Sequence, residues 1–454
     1  MRRAPASNGV MRMRAVLGIA LIVFLNLSRG LAVAPAADGP PKEDGFTVHE
    51  WGVFTFYASQ AFANAGCDEV WKDLPPEVFG ITPGRRPPGN PGGNRGVAKK
   101  PLVYFYNLPR KFLERVEVQV DFPGGTPLVW YPKTSAPYAR TDGGPTPILD
   151  DDAWGHFVRG RLGQLKWSLN FPSPDKVPAL YCPAFVWKEA VLQPEALLFV
   201  PFVEDEGAQL KSAKFLFYEG LLPNRNGVVL REEKTDQGAR YFLGNAGASC
   251  GALDVWVIEK TAAKLSVGRL DKLPVPGKIR DLPETELKLD IVADGAEGAA
   301  KVLTAQLIAA GLFRAEAEGL VAIWKKEFFE TPGLHVLYRL PQDEYDRMLP
   351  LQIKPEPQKI VRAGLAWLPH LETDLKERVA GMVKQLGDET FEKREEAYKA
   401  LQAIGPASMP FLQAEHQSAK DAEIKNRLST LMEAYTLDPE KHLGAWRKLL
   451  KKEK

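Results

Sequence analysis

Cysteine is scarce in this 454-residue chain, with Cys67, Cys182 and Cys250 as its three. They allow one disulfide at most, in three pairings, and leave one thiol over. No C-x-x-C occurs, so redox-dithiol and zinc-ribbon readings have no support. A zincin motif is missing too: His49-Glu50 starts one, but Val53 stands where the second histidine must share a helix face. Neither sign of charge dominates, with 59 Lys and Arg against 57 Asp and Glu. Residues 1–37 hold five of the arginines and no acid, which leaves 54 basic against 57 acidic side chains beyond them. The basic excess therefore belongs to the N-terminus, and no clustered cationic face argues for nucleic acid.

Long apolar runs are also few. The clearest is residues 15–25, preceded by Arg2, Arg3, Arg12 and Arg14 and followed by Ala32-Val33-Ala34-Pro35-Ala36-Ala37. This is the order of a secretory signal peptide, with cleavage expected after Ala36 or Ala37. A membrane anchor needs about 20 apolar residues, and Asn26, Ser28 and Arg29 interrupt sooner. No cysteine follows the run to carry a lipid. The expectation is a secreted or periplasmic protein with no membrane span after cleavage.

The remaining chain reads as an α+β multidomain protein. Residues 38–294 form a β-sandwich-like domain, 295–369 an α+β connector, 370–436 a helical segment and 437–454 a cationic tail. The period of two is clearest at 115–122, where Val116, Val118, Val120 and Phe122 alternate with polar residues. Pro123-Gly124-Gly125 then turns the chain, and 128–131 reads as the return strand. Leu165, Trp167, Leu169 and Phe171 repeat the pattern. Residues 299–311 and 315–329 change to helical spacing, with Leu320, Trp324 and Phe328 on one face. Helices over 374–386 and 389–404 stop at Gly387 and at Gly405-Pro406.

The segment Leu386-Gly387-Asp388-Glu389-Thr390-Phe391, with Arg394-Glu395-Glu396-Ala397, Leu401 and Ile404-Gly405-Pro406-Ala407, resembles HEAT-like repeats. Two helical pairs are few for a solenoid, so its apolar stripe is expected to dock on Leu320, Trp324 and Phe328. His49-Glu50-Trp51-Gly52 with Phe54-Thr55, the run Phe215 to Gly220, and Leu349-Pro350-Leu351 with Pro355 and Pro357 resemble a family of secreted bacterial proteins. That family opens its mature region on His-Glu-Trp-Gly. Where the family pattern has arginine before the glycine of the second segment, this chain has Glu219. The resemblance implies export, and it supplies no catalytic residue.

Candidate chemistry is sparse. Gly247-Ala248-Ser249-Cys250-Gly251 matches a nucleophile elbow, and Asp290 and His335 would complete the order Ser, Asp, His. The flanking segments read as strands, so a glycine-rich turn is the expectation for Ser249. Glu50 falls on an apolar strand face with Phe46, Val48, Phe54 and Phe56, where a carboxylate requires a cation or a metal. An Arg or Lys partner is the simpler answer, and His49 points to the opposite side. Asp150, Asp151 and Asp152, and Glu204-Asp205-Glu206, offer hard oxygen ligands for Ca²⁺ or another divalent metal, with His156 near the first group. Neither acidic run has EF-hand spacing. Trp154, with His49 and Trp51, is the candidate binding surface, whereas Trp167 and Trp256 read as core. The functional expectation is a non-catalytic interaction protein whose partner is a protein or a cell-surface polysaccharide. The alternative is an extracellular hydrolase, metal-assisted or serine-dependent.

Overall fold

The computed structural model describes residues 45–56, 74–75, 78–80, 95–109, 115–123, 125–135, 163–203, 207–208, 211–223, 228–236, 238–245, 251–273, 284–369, 375–404 and 408–435. Along the chain the strands are β1 (Thr47–Phe56), β2 (Phe79–Gly80), β3 (Arg95–Tyr106), β4 (Val116–Phe122), β5 (Thr126–Tyr131), β6 (Gly163–Asn170), β7 (Val200–Val203), β8 (Gly207–Ala208) and β9 (Leu216–Pro223). They continue as β10 (Val228–Thr235), β11 (Gly238–Asn245), β12 (Ala252–Lys260), β13 (Leu265–Leu273), β14 (Thr285–Leu287), β15 (Asp290–Ile291), β16 (Gly333–Arg339), β17 (Leu351–Lys354) and β18 (Lys359–Leu368). The α-helices are α1 (Lys188–Leu192), α2 (Gly295–Ala309), α3 (Arg314–Lys325), α4 (Gln342–Met348), α5 (Leu375–Gln385), α6 (Phe391–Ile404), α7 (Met409–Ser418) and α8 (Ala422–Tyr435). A π-helical turn, Lys326–Glu330, extends α3.

The α+β class holds, on a large mixed sheet of order β15-β13-β12-β16-β18-β1-β3-β9-β5-β2. A five-stranded sheet, β17-β4-β6-β7-β8, packs over one of its faces. There Tyr218 meets Phe122 and Trp167, and Phe105 meets Phe171 and Phe199. On the opposite face lie α2 and α3, where Trp256 Nε1 donates to Gln306 Oε1 and Trp324 meets Trp367. β1, near the middle, is therefore buried along its whole length. Covering both faces removes the polar alternation of a half-solvated strand.

Two sequence expectations change here. β16 and β18 come from the segment read as a connector, yet they lie inside the large sheet, with β18 parallel to β1. One hydrophobic core runs from Phe46 to Leu368, so the boundary expected at residue 294 separates nothing. The turn at Pro123 also does not make a hairpin. β4 keeps the expected alternating burial, but β6 and β17 occupy its two edges. β5 pairs instead with β9 and β2, so the turn carries the chain from one sheet to the other.

Helices α5 to α8 have a core of their own, built on Val379, Val383, Leu386, Ala397, Leu401, Ile404, Leu412, Leu428 and Leu431. The expected docking stripe is used elsewhere: Leu320, Trp324 and Phe328 are buried in the main core, where Phe328 packs on Trp367. Phe391, an apolar residue of the HEAT-like segment, is 56% exposed under Arg394. Amphipathic spacing identified an inward face but not the surface that covers it.

Candidate functional site

Side chains alternate across a strand, so His49 and Glu50 leave β1 on opposite faces. Glu50 lies directly beside Arg362 in the parallel register of β1 and β18. Arg362 Nε donates to Glu50 Oε2 at 2.5 Å, and the Tyr218 hydroxyl donates to Glu50 Oε1. Arg362 Nη1 reaches Asp346 Oδ1 at 2.8 Å, and Asp346 is about half exposed, so the network ends at the surface. The guanidinium also lies over the Tyr345 ring, 3.9 Å from its centre. Gly364 permits that approach, because a Cβ there would stand 2.9 Å from the Tyr345 ring.

Burial works against the Arg362 charge, but the Glu50 carboxylate beside it, with the hydrogen bond to Asp346, more than offsets it. Its pKa ends above the ordinary arginine value. Burial and then Glu50 push both Tyr218 and Tyr345 well above the usual phenol range, so each stays protonated. Tyr218 is thus a permanent donor to Glu50.

His49 serves the other face. Its Nδ1 donates to Glu316 Oε2 at 2.7 Å, and its ring lies against Phe313 at 4.4 Å. Glu316, in the first turn of α3, also accepts from the Tyr106 hydroxyl at 2.9 Å and from the Phe313 backbone N–H at 2.8 Å. The helix N-terminus favours that negative charge. Burial and then Glu316 raise the Tyr106 hydroxyl far above its ordinary value. Trp51 stacks on Tyr104, and a Cβ at Gly52 would come within 2.8 Å of the Pro101 backbone. The His-Glu-Trp-Gly strand therefore ties α3 to one face of the large sheet and engages Arg362 and Tyr218 on the other.

The cation expected opposite Glu50 is Arg362. His49 and Trp51, expected at a binding surface, are 1% and 0% exposed, so they belong to the core. His335 is fully buried on β16, where Nε2 donates to the Thr331 carbonyl at 3.0 Å. Asp290 is exposed on β15, which β13 and β12 separate from β16, so these two do not form a Ser-Asp-His site. Ser249, Trp154, Asp150, Asp151, Asp152 and His156 lie outside the described residues, as do Glu204 to Glu206 and the signal segment. Among the described residues, no three His, Cys, Asp or Glu side chains gather as metal ligands.

Sequence reasoning passed over Glu316, Tyr218 and Arg362. Arg362 had a local signal, as a lone charge between Ile360-Val361 and Ala363-Gly364-Leu365. The pairing of His49 with Glu316 and of Glu50 with Arg362 had none, since the partners lie 267 and 312 residues apart. Compared with known proteins, the chain matches no family model and no curated protein.

Cys182 adds a thiol without activation. It is 8% exposed, and burial raises its pKa to about 11 despite the nearby Lys188. The thiolate is the reactive form. Iodoacetamide at pH 8 should therefore leave the Cys182 peptide of the native chain largely unmodified and label it on unfolding in urea. Peptide mass spectrometry reads the difference, and rapid native labelling would contradict the burial.

Proposed function

We propose that this is an exported, non-catalytic interaction protein of the periplasm or cell surface, binding a protein or a polysaccharide partner. The observation carrying this reading is that His49 and Glu50, the chemistry-bearing pair of the motif, are both engaged in buried structural pairs. A general base or metal ligand must meet substrate or ion, and these two meet the interior of the fold. The sandwich-like packing of two sheets and the HEAT-like helices add support, because stacked helix pairs present extended surfaces to partners. Arg394, Arg427, Glu395 and Glu423 make a partly exposed charged network on that helical segment.

The export part is tested by N-terminal sequencing of material from the native host, where a start at Ala37 or Asp38 is expected. An intact Arg2 or Arg14 in exported protein would refute it. The interaction part is tested by retention of envelope polysaccharide and envelope protein on the immobilised mature chain. Retention should occur without release of reducing ends or peptides. Covalent labelling of Ser249 by a fluorophosphonate, or turnover of the retained polymer, would establish the hydrolase instead.

A further inference from the structure

We propose a binding site for a small organic carboxylate where β1, β18 and α3 meet, with Lys100 as its cationic residue. This site goes beyond the interaction reading and rests on separate observations. Thr55 and Trp367 are direct neighbours on the parallel strands β1 and β18, and they share the face that carries α3. The Trp324 ring lies 6.2 Å from that of Trp367, and Phe328 stacks on it at 5.7 Å. Thr55, Trp324 and Trp367 are 0%, 3% and 7% exposed, and Thr55 Oγ1, Trp324 Nε1 and Trp367 Nε1 all lack a hydrogen-bond partner. Buried donors are almost always satisfied, so three orphans in adjacent side chains point to an acceptor that completes them.

Two further features fall at the same place. The π-helical turn Lys326–Glu330 begins two residues after Trp324, and such turns concentrate at functional sites. Lys100, in the bulge of β3 opposite β9, holds a left-handed φ of 54° that a side chain disfavours. Its backbone N–H is held by Glu219 Oε1 at 3.2 Å. Its ammonium lies 4.9 Å from the centre of the Trp324 ring, and the residue is partly exposed. Among the described residues, no carboxylate lies within salt-bridge reach of that ammonium. Strain kept at a non-glycine position is a mark of function, and here it holds an ammonium over an indole.

The chemistry selects the ligand. Indole N–H groups and a hydroxyl donate, the ammonium supplies positive charge, and the Trp324 face under Lys100 accepts a ring. A carboxylate attached to a ring meets all three. The Lys100 side chain covers Trp324, so it swings outward to admit the ligand and then pairs with the carboxylate.

The test is calorimetric titration of the full chain with sodium glucuronate and with sodium benzoate, each beside its neutral counterpart, glucose or benzamide. Saturable binding of at least one carboxylate, at least tenfold tighter than its neutral counterpart, is expected. The carboxylate that binds separates a sugar acid from an aromatic acid as the source. Lys100→Gly removes the ammonium and suits the left-handed backbone. It should bind at least tenfold more weakly while its Tm equals or exceeds that of the parent. No binding of either carboxylate, equal binding of the neutral partner, or unchanged binding by Lys100→Gly would each overturn the proposal.

Discussion

Arg362→Leu should lower the free energy of unfolding by about 3–5 kcal/mol, the range for leaving one member of a buried pair alone. The physical reason lies in what remains. Glu50, fully buried on β1, would keep the neutral Tyr218 hydroxyl as a donor but lose the guanidinium charge. Glu50→Leu should destabilise similarly, because among the described residues the half-exposed Asp346 would be the one carboxylate left to Arg362. The double variant Glu50→Leu/Arg362→Leu should recover most of the loss, since two apolar residues remove both desolvation penalties together. Arg240→Ala, which breaks an ion pair at the surface between β11 and β14, should leave the urea midpoint unmoved. Urea titration followed by tryptophan fluorescence measures all four. An Arg362→Leu midpoint equal to that of the parent would remove the case for Glu50 as a buried charge.

Leu428→Ala should unfold helices α5 to α8 and leave the large sheet intact. Leu428 is 0% exposed within a small core. Truncating a buried leucine costs about 2–5 kcal/mol. A core serving fewer than about 70 residues rarely supplies more than 3–5 kcal/mol in total, so one substitution uses most of it. Hydrogen exchange read by mass spectrometry should show lost protection over 375–435 and unchanged protection over 47–56 and 359–368. Ending the chain at Pro369 should likewise leave the unfolding temperature of the remainder unchanged, because the two cores share no buried residue. Loss of protection across β1 and β18 in Leu428→Ala would show instead that the helices support the sheet.

These outcomes depend on two kinds of information, which the chain carries at different ranges. Its local pattern determined the elements. The alternation at Val116, Val118, Val120 and Phe122 is the burial alternation of β4, and Leu165, Trp167 and Leu169 are the buried side of β6. The helical periods over 299–311 and 315–329 became α2, α3 and the π-helical turn. The local pattern also established that Glu50 needed a cation, because an apolar strand face cannot hold a lone carboxylate.

Tertiary structure decided the partners. A period of two says which side chains share a face, but β18 lies alongside β1 through backbone bonds that carry no side-chain signature. Glu50 therefore meets Arg362 across 312 residues, and His49 meets Glu316 across 267. The same limit explains the helical segment. Its stripes were visible, but they close on one another because four short helices can bury them without the sheet. Local spacing sets an element and its inward face, whereas the neighbour depends on which surfaces the whole chain brings together.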